Sequence, residues 1–269
     1  MARSAGSGFA QLRLFDPLAG ESIDSDTLPP WTNGEFLAFD LETTGVDRFG
    51  DLPVSFAFVR FSMGSVVERQ GDLVDPGRAI PEAATALHGI TTEMVRGTGE
   101  PLEQAVKTIV SSLFRASSRK VPVVGVKLDY DLTMVDVLAR RISGLGLRES
   151  GWDGPVLDAL VLDRELDRYR KGRRTLTALC DEYDVNIANA HSASADAEAA
   201  GRVLLAMAAR YPDLAAKSPV RLHLAQMSYH RDWLTSYSAW RSNSGLVALP
   251  PSEWEWPIAT TGRQQEGAA

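Results

Sequence analysis

Two carboxylates one residue apart, Asp40 and Glu42, stand directly after the apolar run Phe36-Leu37-Ala38-Phe39. If that run is a strand, alternate side chains share a face and both acids point the same way. Such a pair can reach a single metal cluster, and hard oxygen donors favour Mg²⁺ or Mn²⁺. The same two acids at a solvated strand end would do no chemistry. Farther along lie Asp131, then His191 with Asp196 five positions after it. An imidazole titrates near neutral pH and can take a proton from water.

The longer string Asp40-Leu41-Glu42-Thr43-Thr44-Gly45 is far less common than its first three residues. Asp-X-Glu-Thr-Thr-Gly arises by chance in such a chain on the order of one time in several thousand. On this string the chain resembles the DnaQ-like exonucleases whose active-site residues form a DEDDh set. The resemblance implies a third acid after the fourth strand and a His-X4-Asp motif opening a late helix. Asp131 in Lys127-Leu128-Asp129-Tyr130-Asp131, after the β-branched run Val121 to Val126, fits the first. His191-Ser192-Ala193-Ser194-Ala195-Asp196 fits the second.

By that resemblance the fold is RNase H-like, and the reaction is two-metal hydrolysis of phosphodiesters from the 3′ end of DNA, in replication proofreading or repair. Asp40 then bridges two Mg²⁺ or Mn²⁺ ions, Glu42 and Asp196 complete the nucleophile-side site, and Asp131 acts through the water shell of the second ion. His191 is the general base. Thr43 touches the 3′-terminal sugar, while Leu87 and His88 pack on the last base and sugar. A turn and helix cap, with Thr91 or Thr92 capping residues 93–96, is equally compatible with His88-Gly89-Ile90-Thr91. An RNA-directed enzyme of the same family, or a module that binds 3′ ends without cutting, are the alternatives.

Relatives commonly carry Asn where this chain has Lys127. A phosphate contact and a solvent-facing side chain are both open to it. Asp129, two residues from Asp131, reads as an N-cap. Six basic residues lie between Arg164 and Arg174. Asp163, Glu165 and Asp167 neutralise the first half, leaving Tyr169 to Arg174 uncompensated, with Arg170 and Arg173 as candidate phosphate contacts. This run, the Ser-rich His191 region and Trp256-Pro257-Ile258 look most like actinobacterial relatives of the family.

The elements that must hold these residues follow from periodicity. Strands are predicted at Phe36 to Phe39, Val54 to Phe61, Ser65 to Val74 (with a turn at Met63-Gly64), Val121 to Val126 and Pro155 to Asp158. Helices are predicted over 102–114, 128–142, 159–169, 175–183 and 195–210, the last ended by Pro212, and again over 219–240. Mixed strands with helices on both faces predict a three-layer α/β/α domain with a central mixed sheet over residues 34–212. Residues 213–269 are expected to form a helix and tail docked on it, with Tyr229, Trp233, Tyr237 and Trp240 turned toward the core.

Residues 1–33, rich in Gly, Ser, Asp and Pro, read as a flexible arm. Inside it, Gln11-Leu12-Arg13-Leu14-Phe15 resembles the Gln-Leu-X-Leu-Phe peptide by which bacterial replication proteins dock on the sliding clamp. Gln11, Leu12, Leu14 and Phe15 would fill its groove, or the apolar residues fold back onto the domain. Net charge is −7, which argues against a protein that coats nucleic acid by bulk electrostatics. Cys180 is the single cysteine, so no intrachain disulfide forms, and it reads as a small buried hydrophobe. With no apolar segment of membrane-spanning length, a cytoplasmic protein is expected.

Overall fold

The computed structural model describes residues 31–186 and 192–260; the peptide at 11–15 and His191 lie outside them. A 3-10 turn at Trp31–Asn33 leads into β1 (Glu35–Thr43), β2 (Pro53–Ser62) and β3 (Ser65–Asp75), an antiparallel meander. Met63 and Gly64 join β2 to β3 with φ of 52° and 71°. Positive φ at both positions is what a twisted two-residue hairpin requires. Then come α1 (Glu82–His88), α2 (Thr92–Thr98), β4 (Glu100–Pro101), α3 (Leu102–Ser118), β5 (Val123–Gly125), α4 (Leu128–Ser143) and β6 (Val156–Asp158). The chain continues through α5 (Ala159–Leu166), α6 (Leu176–Glu182), α7 (Ala193–Arg210), α8 (Pro212–Ala215) and α9 (Pro219–Asn243), with a second 3-10 turn at Pro251–Trp254.

The sheet order is β4-β3-β2-β1-β5-β6, with β5 and β6 parallel to β1. The side chains of β1 therefore alternate between two cores. Phe39 and Leu41 join Phe56, Phe58 and the inner faces of α3 and α4. Phe36 and Ala38 join Val59, Phe61 and the helices α5, α6 and α7. Cross-strand partners Phe36 and Phe61 stack at 4.6 Å, and Phe39 and Phe58 at 4.7 Å, one pair on each face. Each such pair adds about 0.5–1.5 kcal/mol beyond the burial of its rings. The product is a three-layer α/β/α domain around a mixed sheet, with Cys180 buried in the second core.

Three differences from the sequence expectation have local causes. β5 is shorter than Val121 to Val126, because Pro122 has no N–H for the ladder and Lys127 turns left-handed at φ 63°. α1 was not expected; it buries none of its residues and so carries no apolar stripe to announce it. Pro212 opens α8 as its first residue, where a missing N–H costs nothing.

α9 lies along β6 and satisfies its open edge. The N–H of Val156 donates to His223 Nδ1 (3.2 Å), that of Asp158 donates to Gln226 Oε1 (2.8 Å), and Gln226 Nε2 donates to the Val156 carbonyl (2.9 Å). An edge strand left with free hydrogen-bonding groups invites pairing with another chain, and α9 removes that opportunity here. Tyr229 packs on both cores, but Trp240, three turns farther on, is 55% exposed. The aromatic series thus leaves the core along the helix. Among the described residues no helix is long and apolar enough to cross a membrane.

Candidate active site

Asp40 and Glu42 stand on the face of β1 that also carries Phe36 and Ala38, the face covered by α7. α7 reaches the sheet at Gly201, where a Cβ would lie 2.5 Å from the Phe61 ring. Only glycine permits that approach. The helix begins at Ala193, capped by the Ser192 hydroxyl, and sets Asp196 in its first turn, where the helix dipole favours a carboxylate. One carboxylate oxygen from each of Asp40, Glu42 and Asp196 lies within 4.8 Å of the others.

Asp131 comes from the opposite layer. It sits in the first turn of α4, 6% exposed, where the backbone N–H groups of Asp131 and Leu41 favour its charged form. Its charge is the strongest of those acting on Asp40. Burial, then Asp131, Glu42 and Asp196, hold Asp40 well above the carboxylate range. Burial and then Asp196 push Glu42 up to about 7, while burial and then Asp129 raise Asp131. Four acids so placed gain by taking up protons or a cation, and their all-oxygen donor set fits a hard divalent ion.

The first turn of α4 is fixed by Asp158, a fully buried residue that sequence reasoning placed only at the end of β6. Its Oδ1 accepts from the N–H of Lys127 (3.0 Å) and of Leu160 (2.9 Å), and its Oδ2 from that of Leu128 (2.9 Å). One carboxylate therefore caps α4 and α5 together. Burial and the charge of Asp129 push it up to about 6 against the pull of these three N–H groups.

Asp129 is not the N-cap. It lies inside α4, 7% exposed, and pairs with the buried Arg48 at 2.7 Å. Arg48 also pairs with Glu253 in the second 3-10 turn, and the Glu253 carbonyl is 2.8 Å from His230 Nε2. Asp129 does face away from Asp131, as the helical spacing required. The loop after β1, the start of α4 and the C-terminal turn are tied by this one guanidinium.

Thr43 Oγ1 donates to the Gly45 carbonyl (2.7 Å), and so does Tyr130 Oη (2.6 Å), bracing the end of β1 against α4. His88 Nδ1 accepts from the N–H of Ile90 (3.0 Å), which leaves its other nitrogen protonated and facing the Thr43 backbone. Thr91 caps α2 by accepting from Met94, so the capping alternative for that segment is realised. Leu87 beside it is 61% exposed. Lys127 is exposed, with its ammonium 5.7 Å from the Tyr130 ring centre. Its backbone is left-handed, at φ 63°, a conformation that Asn tolerates better than Lys.

The basic run is compensated in part, contrary to its appearance in sequence. Arg170 pairs with the buried Asp163 at 2.5 Å, and Arg174 pairs with the same carboxylate, to which Tyr183 Oη also donates (2.9 Å). Folding brings Asp163 back beneath the run. Arg173 stays exposed.

Residues 37–204 match the RNase T exonuclease family, a span that holds all four acids. Over 197 residues the chain is 32% identical to a DNA polymerase III PolC-type protein of Lacticaseibacillus paracasei, covering 73% of this chain and 13% of that one. A PolC-type relative from Halalkalibacterium halodurans is 28% identical over 204 residues, covering 75% and 13%. The chain thus spans a small part of these relatives. Among solved structures, E. coli exonuclease I in complex with a dA16 oligonucleotide superposes with a TM-score of 0.60 at 22% identity, covering 74% of this chain and 44% of that one. Exonuclease I from Methylocaldum szegediense gives 0.56 at 21%, covering 77% and 46%. These neighbours share the RNase H-like architecture. On the match across its sheet and all four acids, the chain belongs to the RNase T exonuclease family.

Proposed function

We propose that this protein is a metal-dependent 3′-to-5′ exonuclease of the DEDDh type, removing nucleotides singly from 3′ ends of single-stranded DNA in replication proofreading or repair. The observation that carries this reading is the convergence of Asp40, Glu42 and Asp196 within 4.8 Å at the end of the central strand, with Asp131 acting on Asp40 from the other layer. Two Mg²⁺ or Mn²⁺ ions held by these acids would supply an activated water and positive charge for the departing 3′-oxygen. His191 stands one residue before the cap of α7 and takes the proton of the attacking water. Thr43, Leu87 and His88 flank the terminal nucleotide, while the exposed Lys127 and Arg173 meet its phosphates. Arg170 is already engaged by Asp163 and is left out of that role.

Residues 34–212 form the catalytic body and residues 213–269 its extension. The peptide Gln11, Leu12, Leu14 and Phe15 tethers the enzyme to a bacterial sliding clamp. The PolC-type relatives, named for a replicative polymerase, support the DNA and replication assignment. The oligonucleotide complex of exonuclease I supports a single-stranded substrate.

A 5′-labelled DNA strand incubated with Mg²⁺ or Mn²⁺ should shorten stepwise while keeping its label, and EDTA should stop the reaction. Matched RNA should be cut more slowly. An intact strand, or early release of the 5′ label, contradicts the proposal. In the same assay His191→Ala should lower turnover on the order of 10²-fold.

A further inference from the structure

α9 runs past the sheet on the side of the acids. β5 and β6 are parallel to β1, so the C-terminal ends of all three strands, with Asp40 and Asp158, share one edge. Gln226 of α9 is level with Asp158, and the helix continues to Asn243. Those seventeen residues carry it about 25 Å beyond the edge at 1.5 Å per residue.

The overhang carries a ladder of aromatic rings. Trp233 and Tyr237 stack with centres 4.8 Å apart and planes at 21°, and Tyr237 and Trp240 with centres 5.7 Å apart and planes at 14°. The Arg164 guanidinium of α5 lies 3.5 Å over the centre of Trp233 and within the field of Asp158 and Asp129, which ties the ladder to the active edge. Between α9 and the end of α5 is a groove of about 390 Å³, with Arg164, Arg168, Tyr169, Trp233 and Tyr237 in its walls. Tyr169 is 93% exposed and Trp240 55%. Large aromatic side chains left in water at these positions contribute little to the core.

The charges in the groove cancel. Arg168 pairs with Glu165 at 2.6 Å, and Asp232 stands with Arg164 in the same lining. Duplex DNA, which offers phosphates and hides its base faces, has little to gain here. Unpaired bases have much to gain, because rings and guanidinium planes stack on any base without regard to sequence. We propose that the groove and the α9 ladder bind the single-stranded DNA that trails upstream of the 3′ end, by base stacking on Tyr169, Trp233, Tyr237 and Trp240. This rests on the nuclease reading for its polarity, though binding itself does not require cleavage.

The test compares Tyr169→Ala and Trp240→Ala, both at exposed positions, with the parent. Binding of fluorescein-labelled dT20 in EDTA, read by anisotropy, should weaken roughly 10-fold for each substitution, with a shallow dependence on salt. Binding of dT3, too short to reach the ladder, should not change. Trp240→Phe should recover most of the dT20 affinity, since it keeps a stacking face. With Mn²⁺, KM for dT20 should rise and kcat should hold. Loss of binding in EDTA without any cleavage by the parent would remove the nuclease reading and leave this surface standing. Unchanged dT20 binding in both alanine variants overturns the inference, as does equal weakening for dT3. Concentration-dependent dimerisation that these substitutions abolish, with dT20 binding intact, would assign the ladder to a second copy of the chain and also overturn it.

Discussion

Asp40→Asn will melt higher than the parent protein in EDTA, will gain nothing from added Mn²⁺, and will cut DNA at least about 10³-fold more slowly. The three effects have one origin. Burial and three neighbouring acids make the ionised Asp40 costly, so a neutral isostere relieves the metal-free fold by a few degrees of Tm. The same charge is what a divalent cation needs, and losing it costs the reaction at least about 4 kcal/mol of barrier, equivalent to 10³ in rate.

Glu42 contributes to the pH dependence of the metal-free protein, in the same direction as Asp40, Asp131 and Asp158. Its carboxyl is raised from 4.5 to about 7 in the fold, so the native state holds the proton more tightly than the unfolded chain. The resulting stability is fully present below pH 4.5 and is lost as pH rises through 7. Discounted for solvent screening of the charges around it, the effect is on the order of 1–2 kcal/mol. Differential scanning fluorimetry in EDTA and in Mn²⁺, from pH 4.5 to 8, resolves both claims. Parent and Asp40→Asn curves that coincide in both media would falsify the account of the acids as a cation site.

Asp158→Ala should be the most destabilising single change at the site that touches no proposed metal ligand. It strips the cap from two helices and leaves the buried N–H groups of Leu128 and Leu160 and the part-buried one of Lys127 without their acceptor. A lost cap costs about 1 kcal/mol and an orphaned buried donor about 1–3 kcal/mol. Relaxation recovers part of this, giving a net loss of about 3–5 kcal/mol and a Tm lower by roughly 10 °C. Asp158→Asn discriminates the mechanism. If its amide oxygen takes the place of Oδ1, it keeps the bonds from Lys127 and Leu160 and turns an NH₂ toward the N–H of Leu128, so it should recover about half of the lost stability. Because α4 carries Asp131 in the turn that Asp158 caps, Mn²⁺ affinity should fall in the alanine variant at temperatures where it is fully folded. A melting temperature within about 2 °C of the parent would mean that water replaces the carboxylate at no cost.

Part of the site was legible because it is local. A strand alternates with a period of two, so Asp40 and Glu42 must share a face wherever the strand lies, and Phe36 and Ala38 must share it with them. The hairpin at Met63-Gly64, the cap on α2 and the apolar runs of the sheet are decided within a few residues, and the sequence alone determined them. Arg48 and Asp129 are 81 residues apart, and Arg48 and Glu253 are 205 apart. Local periodicity carries no information about such partners, so Asp129 looked like a cap and is one arm of a buried ion pair. Arg170 looked uncompensated for a different reason: Asp163 is only seven residues back, but their pairing depends on how the chain turns beyond the end of α5, which periodicity does not describe. Which layer delivers Asp131, and which carboxylate caps its helix, depends on strand order, with β5 inserted between β1 and β6. The sequence determined the chemistry of the acids and the face on which two of them stand; tertiary packing decided what meets them there, because desolvation and charge pairing act through space.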